Sequence, residues 1–120
     1  MSSPHGVLIV EDDRDVREAI AAFLAAEGYE VTEAEHGAHA LQQLAMGSFC
    51  LILLDLYMPT MDGWTFRSEQ LGDPALAAIP VVVISADPDV VPTGVALGAV
   101  ASMRKPLDLG KLLETVARHC

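Results

Sequence analysis

Four short runs of apolar residues recur along the chain, and each of them ends abruptly in polar residues. They lie at residues 6–10, 50–54, 80–84 and 98–104, and most of them are rich in Val, Ile and Leu. Their apolar residues are largely continuous rather than alternating, which is typical of strands covered on both faces. A weaker run at residues 29–34 indicates another strand. The pattern therefore favours a parallel sheet that is buried between layers of helices.

Amphipathic segments alternate with these runs and indicate helices. At residues 15–27 the apolar side chains fall on one face, and Gly28 supplies a stop. Further helices are predicted at residues 37–46, at residues 64–71 and after Asp108, which suits the N-cap position. Pro88 and Pro92 allow only a brief helix within residues 86–97. Strand and helix thus alternate five times, which predicts an α/β fold with a doubly wound, five-stranded parallel sheet and right-handed crossovers.

The polar residues that end the runs are expected to meet at one edge of such a sheet. They are Glu11 and Asp12 after the first run, Asp55 after residues 50–54, Ser85 after residues 80–84 and Lys105 after residues 98–104. In open α/β sheets, ligands bind outside the carboxyl ends of the strands. Three carboxylates, a hydroxyl and an ammonium group at that edge predict a site for a metal ion and a phosphoryl group.

The chemistry of this predicted site follows from its charges. Carboxylates held close together disfavour one another's ionisation unless a cation offsets their charge. A few oxygen ligands suit Mg²⁺, and Mn²⁺ could replace it. A carboxylate such as Asp55 beside that ion can attack phosphorus and form an aspartyl phosphate. Lys105 and the Ser85 hydroxyl would then contact the remaining phosphoryl oxygens.

Size and charge exclude several classes of protein. The 120 residues suffice for one domain with a real core, so a single domain over residues 1–120 is predicted. Seven Lys and Arg residues against 17 Asp and Glu residues give a net charge of −10, which argues against direct binding of nucleic acid. No apolar stretch approaches the roughly 20 residues of a membrane helix, and residues 1–5 lack the features of a secretory signal. We therefore expect a cytoplasmic protein, with Cys50 and Cys120 as free thiols.

Several polar residues near the predicted site have simpler interpretations. Asp13 is favoured as the N-cap of the first helix, and Asp62, which precedes Gly63, is favoured as a turn residue. His36 and His39 have a spacing that could serve a metal ion, but no third ligand lies near them in the sequence. For these two histidines, solvated surface is therefore favoured over a metal site.

Four motifs add a more specific signal. They are Val-Glu-Asp-Asp at residues 10–13, Leu-Asp-Leu-Tyr-Met-Pro-Thr-Met-Asp-Gly at residues 54–63, Ile-Ser-Ala at residues 84–86 and Lys-Pro at residues 105–106. Together they resemble the motifs of response-regulator receiver domains, and the resemblance covers nearly the whole chain, about residues 6–118. It implies a flavodoxin-like (βα)5 fold with the strand order 2-1-3-4-5.

The resemblance also implies a role for each acidic residue. Asp55 would be the phosphoacceptor, and it would receive its phosphoryl group from a phosphohistidine on a histidine kinase or phosphotransfer protein. Asp12 and Asp55 would bind Mg²⁺ directly, and Glu11 would act through water. The backbone carbonyl of Tyr57 would be a further ligand of the metal ion.

The same resemblance assigns the switching residues. Ser85 matches the switch hydroxyl, Lys105 matches the phosphate-binding lysine, and the bond between Lys105 and Pro106 is expected to be cis. Ser102 departs from the family pattern, because members usually carry Tyr or Phe there, and this ring follows the switch hydroxyl on phosphorylation. The usual output of the family, in which an aromatic ring at this position moves together with the switch hydroxyl, therefore does not fit this sequence.

We interpret the chain as a phosphorylation-controlled switch of two-component signalling that catalyses only its own phosphorylation and dephosphorylation. Its output would pass to an effector protein or a fused output domain, and it would act as a monomer or a phosphorylation-dependent dimer, with no membrane partner. Ser102 motivates an alternative, a phosphorylation-independent interaction module. A hydrolase of phosphate esters is a third hypothesis, for which Tyr57 fits poorly as the acid–base group two residues after Asp55.

Overall fold

The computed structural model describes residues 6–58 and 60–120, which form five strands and five helices in regular alternation. The strands are β1 (Gly6–Val10), β2 (Glu30–Ala34), β3 (Leu51–Asp55), β4 (Val81–Ser85) and β5 (Ala101–Arg104). The helices are α1 (Arg14–Ala26), α2 (Gly37–Met46), α3 (Gly63–Leu71), α4 (Val90–Ala96) and α5 (Leu109–His119). All strand pairs are parallel, in the order β2-β1-β3-β4-β5. The predicted doubly wound, flavodoxin-like fold is confirmed.

Both faces of the sheet are covered by helices. In β1, Leu8 and Val10 pack in the layer formed with α2, α3 and α4. Val7 and Ile9, which alternate with them, pack in the layer formed with α1 and α5. The strands β1, β3 and β4 are buried along their whole length. Because neither face of these strands contacts water, the side chains on both faces must be apolar. The strands therefore appear in the sequence as continuous apolar runs.

Helix α4 and the start of β5 show one correct and one wrong prediction. Helix α4 has only seven residues, and Pro88 and Pro92 had predicted that it would be brief. The prediction that a strand begins at residue 98 was wrong, because Gly98 has a φ of 71° and closes α4 instead. The Ala99 N–H donates to the Gly94 carbonyl at 2.9 Å, which is the bond of a Schellman motif. The strand β5 therefore begins only at Ala101.

Polar side chains cap the N-termini of four helices. The predicted cap Asp13 accepts hydrogen bonds from two backbone N–H groups of α1, and Asp108 caps α5. Asp62, which was predicted to be a turn residue, also caps α3. His36 was favoured as solvated surface, but its Nδ1 accepts the N–H of His39 at 3.2 Å and thereby caps α2. These roles leave the acidic residues of the predicted metal site free for other contacts.

The prediction that Cys50 and Cys120 are free thiols was wrong. The structure joins them in a disulfide between the residue that precedes β3 and the end of α5. They are 70 positions apart in the sequence, and their Cα atoms lie 5.3 Å apart. The two residues meet only because α5 packs back across the sheet, and no local pattern in the sequence reports that contact.

Candidate functional site

The polar ends of four strands meet at the carboxyl edge of the sheet. Glu11 and Asp12 follow β1, Asp55 ends β3, Ser85 ends β4 and Lys105 follows β5. The register of the parallel strands places Asp55 beside Ile84 and places Ser85 beside Arg104. Residues that are distant in the sequence therefore share one edge, where α/β sheets bind their ligands.

Glu11, Asp12 and Asp55 form an acidic cluster. One carboxylate oxygen from each lies within 4.8 Å of the others. Glu11 and Asp55 are buried, with exposed fractions of 0% and 3%, whereas Asp12 is exposed. Burial raises the pKa of Glu11, as does its interaction with Asp55, while Lys105 and the Asp13 backbone oppose this shift. The acidic cluster thus concentrates negative charge in the protein but remains open to solvent on the side of Asp12.

The donor atoms of the acidic cluster fit a hard divalent cation. Glu11 Oε2 accepts the N–H of Asp13 at 3.2 Å. Glu11 Oε1 is buried and contacts the Lys105 ammonium, but among the described residues no donor makes an aligned hydrogen bond to it. Carboxylate oxygens in small number are the ligands that Mg²⁺ takes in proteins. An incompletely satisfied buried oxygen beside two further carboxylates is therefore consistent with a metal site.

The Lys105 ammonium lies between two carboxylates of the acidic cluster. It contacts Glu11 and donates to Asp55 Oδ2 at 3.3 Å. Burial alone would lower the pKa of Lys105, but its close contact with Glu11 and the charges of both carboxylates outweigh burial and raise it. The backbone N–H of Lys105 donates to the Ser85 carbonyl at 2.8 Å, and the Lys105–Pro106 bond is cis. The side chain thus stays cationic where a negatively charged group would bind.

Ser85 is fully buried at the end of β4. Its hydroxyl oxygen accepts the N–H of Asp87 at 3.1 Å. A hydroxyl that accepts one hydrogen bond keeps its own hydrogen for donation. Ser85 can therefore donate to a group that binds at the carboxyl edge, although it lies one strand away from Asp55.

Tyr57 bridges two loops beside the acidic cluster. Its N–H donates to Asp55 Oδ1 at 3.4 Å, and its hydroxyl donates to Asp87 Oδ2 at 2.7 Å. Its ring, which is 54% exposed, packs edge-to-face on Trp64 with 5.3 Å between the centroids. The contact with Asp87 was not predicted, because nothing in the sequence relates the loop after β3 to the loop after β4. The ring crosses from the Asp55 loop towards the Ser85 loop at the rim of the site.

Gly63 shapes the loop that follows Asp55. Its N–H donates to the Leu56 carbonyl at 2.9 Å. A Cβ at this position would lie 2.8 Å from the Asp55 carbonyl oxygen and 2.8 Å from Leu56 Cα, both of them backbone atoms. Only glycine permits this approach, so Gly63 is required where the loop folds back on the end of β3.

Ser102 faces α4 across a very close contact. A Cβ added at Gly94 would overlap the Ser102 hydroxyl oxygen, so the α4 backbone lies directly against this serine. Arg67, which is 7% exposed, fixes the same helix from α3 by donating to the carbonyls of Leu97 at 2.9 Å and Gly98 at 3.3 Å. The packing leaves no space towards α4 for an aromatic ring at residue 102. Sequence reasoning did not identify Arg67.

The comparison with protein families gives one match that spans the fold. The family model of the response regulator receiver domain matches residues 7–117 of this chain. Chemotaxis protein CheY of Treponema pallidum (strain Nichols) is 32% identical over 118 residues, which cover 96% of this chain and 82% of that protein. The chain spans less than half of the length of several other curated relatives, between 13% and 46%.

Solved structures agree with this match. The response regulator receiver protein of Pseudomonas putida superposes with a TM-score of 0.89 at 30% identity, over 98% of this chain and 99% of that chain. The response regulator protein TrrA of Thermotoga maritima, in complex with Mg²⁺-BeF, superposes with a TM-score of 0.85 at 25% identity over 100% of both chains. The similarity therefore extends over all elements of the sheet and both layers of helices.

Proposed function

This chain belongs to the response regulator receiver domains, the signalling modules of two-component systems, and we propose that it receives its signal as a phosphoryl group on Asp55. Receiver domains of response regulators are phosphorylated by histidine kinases and linked to output partners. For this chain the donor would be a phosphohistidine on a histidine kinase or a phosphotransfer protein. Residues 1–120 would act as one receiver domain.

The position of Asp55 carries this proposal. Like Glu11, it belongs to the acidic cluster and contacts the Lys105 ammonium, which donates to Asp55 Oδ2 at 3.3 Å; unlike Glu11, it ends β3, the central strand of the sheet, between the ends of β1 and β4. The Asp55 carboxylate thus has the Lys105 ammonium on one side and, on the other, the solvent-exposed side of the acidic cluster at Asp12. Transfer from a small acyl phosphate to Asp55 tests the proposal directly, with Asp55→Asn as the matched control variant.

The transfer itself would need mainly positioning and charge neutralisation. An oxygen of Asp55 forms the new bond to phosphorus while the bond from phosphorus to the donor's imidazole nitrogen breaks. The Lys105 ammonium then moves from the carboxylates to a phosphoryl oxygen, and the Ser85 hydroxyl donates to another. This chain therefore acts on itself and is a signalling module rather than a classical enzyme.

The acidic cluster would hold Mg²⁺ during this transfer. Asp12, Asp55 and the backbone carbonyl of Tyr57 would bind the ion directly and Glu11 would bind it through water, and Mn²⁺ could take the same ligands. When bound, the ion would neutralise charge on the carboxylates and on the phosphoryl group. The oxygen-only donor set within 4.8 Å supports this assignment, as does the Mg²⁺-BeF complex of the relative from Thermotoga maritima.

Added Mg²⁺ is expected to raise the melting temperature of the wild-type chain. An ion that binds only the folded state stabilises it by about 2.7 kcal/mol at 100 times its Kd. The Asp12→Asn variant should lose most of this shift, because a direct ligand loses its charge. The Asp13→Asn variant should keep the shift, because Asp13 caps α1 and Asn caps equally well. Calorimetric titrations check this, and equal shifts in all three proteins would argue against the metal site.

The Tyr57 ring is expected to slow the loss of the phosphoryl group, because it bridges to Asp87 across the rim of the site. After removal of the acyl phosphate, Tyr57→Ala should release phosphate several-fold faster than the wild type. Tyr57→Phe, which keeps the ring and loses only the hydrogen bond, should lie between the two. The time course of phosphate release measures all three, and a wild type that releases phosphate as fast as Tyr57→Ala would rule out the shielding role.

Location and assembly follow from the same assignment. None of the helices that the described residues form is long and apolar enough to cross a membrane. We propose a cytoplasmic protein without direct binding of nucleic acid by this domain, given the net charge of −10. It would act as a monomer or as a phosphorylation-dependent dimer and pass its signal to an effector protein or a fused output domain.

The close contact of Ser102 with Gly94 favours a second candidate function. Because α4 lies directly against β5 and is held by Arg67, switching through a ring at residue 102 has no counterpart in this chain. The alternative is an interaction module that binds its partner without phosphorylation. Partner affinity measured with and without trifluoroberyllate, a mimic of the phosphoryl group, separates the two functions, since only a phosphorylation switch changes its affinity.

A further inference from the structure

We propose that Cys50 and Cys120 form a reversible thiol–disulfide modification site that fastens the end of α5 to the sheet. The reactant would be a small-molecule thiol–disulfide couple of the glutathione class. This site lies beyond the phosphoryl chemistry of Asp55. Cys50 directly precedes β3 and Asp55 ends it, so the two sites are at opposite edges of the sheet.

The backbone positions both cysteines for the bond. The N–H of Cys50 donates to the Gly6 carbonyl at 2.8 Å, which fixes Cys50 beside β1. The N–H of Cys120 donates to the Val116 carbonyl at 2.9 Å, which keeps Cys120 in the last turn of α5. The Cα atoms are 5.3 Å apart, within the range of about 4.4–6.8 Å that disulfides require. The pair is therefore held in place by secondary structure on both sides.

Accessibility permits the exchange reaction. Both cysteines are only half-buried, unlike the fully buried strand β3 that follows Cys50, and the proposed exchange takes place from their exposed side. In the reduction, one small thiolate attacks a sulfur of the Cys50–Cys120 bond, forms a mixed disulfide and releases the other cysteine as a thiolate. A second small thiol then attacks the mixed disulfide, so two protein thiols form and one small disulfide is released. Oxidation by the small disulfide is the reverse.

The bond has a structural consequence for α5. Only Leu112 and Val116 of this helix are fully buried against the sheet. The disulfide joins the helix end to a residue 70 positions earlier and thus closes a long loop of the unfolded chain. Reduction would release the last turn of α5 and lower the stability of the fold. In the cytoplasm, where thiols are mostly reduced, a disulfide of this kind reports a shift to oxidising conditions.

The test is a redox titration of the wild-type chain in buffers of reduced and oxidised glutathione. Free thiols are trapped by alkylation and counted by mass spectrometry. Both thiols are expected to appear together, with one midpoint. The reduced chain should melt lower, by on the order of 10 °C, and the amides of residues 117–120 should exchange with solvent faster.

Matched variants separate this site from the rest of the molecule. Cys50→Ser and Cys120→Ser should each reproduce the melting temperature of the reduced wild type and should no longer respond to reductant. Asp55→Asn should titrate as the wild type does, so failure of the phosphoryl chemistry leaves this result unchanged. Two thiols that both remain alkylatable in excess oxidised glutathione would overturn the proposal. So would a melting temperature that does not change on reduction.

Discussion

The Asp55→Asn variant will incorporate no phosphoryl group from a small acyl phosphate under conditions in which the wild-type chain incorporates one. An amide has no ionised oxygen to attack phosphorus, so the expected loss is complete rather than partial. Asn has the shape of Asp, and its side-chain oxygen can still accept from Lys105. The variant should therefore fold, and removal of one charge from the acidic cluster relieves repulsion there. Intact-mass spectrometry measures the incorporation.

Asp87→Asn is the matched control for this experiment. Asp87 is another carboxylate on the same rim, where it accepts the Tyr57 hydroxyl, but it does not belong to the acidic cluster. Its variant should still be labelled on Asp55. Labelling of Asp55→Asn to the wild-type level would show that a different residue accepts the phosphoryl group and would contradict the assignment.

The Lys105→Ala variant should be labelled about 100-fold more slowly than the wild type, as is typical when one preorganised group that stabilises developing charge is removed. Its free energy of unfolding should also fall, by about 1–3 kcal/mol, because buried Glu11 loses the cation that contacts it. The Lys105 side chain is 22% exposed, so water replaces part of this contact and the larger costs of a fully buried pair do not apply. Stopped labelling reactions and urea unfolding measure the two effects.

Two observations distinguish the role of Lys105 from a general effect of positive charge. Lys111, on the exposed side of α5, is the matched control, and Lys111→Ala should retain the labelling rate of the wild type. Lys105→Ala should still be stabilised by Mg²⁺, since Lys105 is not a ligand and the ion offsets the same carboxylates. A Lys105→Ala variant with an unchanged labelling rate would remove Lys105 from the proposed chemistry.

The layers of the fold were predictable because burial on both faces leaves a signal in each strand. Val7 and Leu8 point to opposite layers, yet both must be apolar, so the strand cannot alternate. The convergence of the polar strand ends at one edge of the sheet was predictable for a related reason. Asp55 and Ser85 each end an apolar run, and parallel strands bring their carboxyl ends to one edge whatever their separation in the sequence.

Other features depend on tertiary contacts that leave no local pattern. Cys50 and Cys120 meet only after α5 has packed, and the spacing of two cysteines does not report this. The Tyr57–Asp87 hydrogen bond joins two loops through side-chain orientation alone. At Gly98 the apolar run favoured a strand, although a glycine also suits the end of a helix. In the structure Gly98 has a positive φ and closes α4.

A crystal structure of the chain with Mg²⁺ and trifluoroberyllate tests the central claim most directly. The expected result is a beryllium atom bonded to an oxygen of Asp55, with a metal ion bound by Asp12 and Asp55. The Lys105 ammonium should have left Glu11 for a fluorine atom. Trifluoroberyllate bound at another residue, or an unmodified Asp55 with Asp12 turned away from it, would contradict the account.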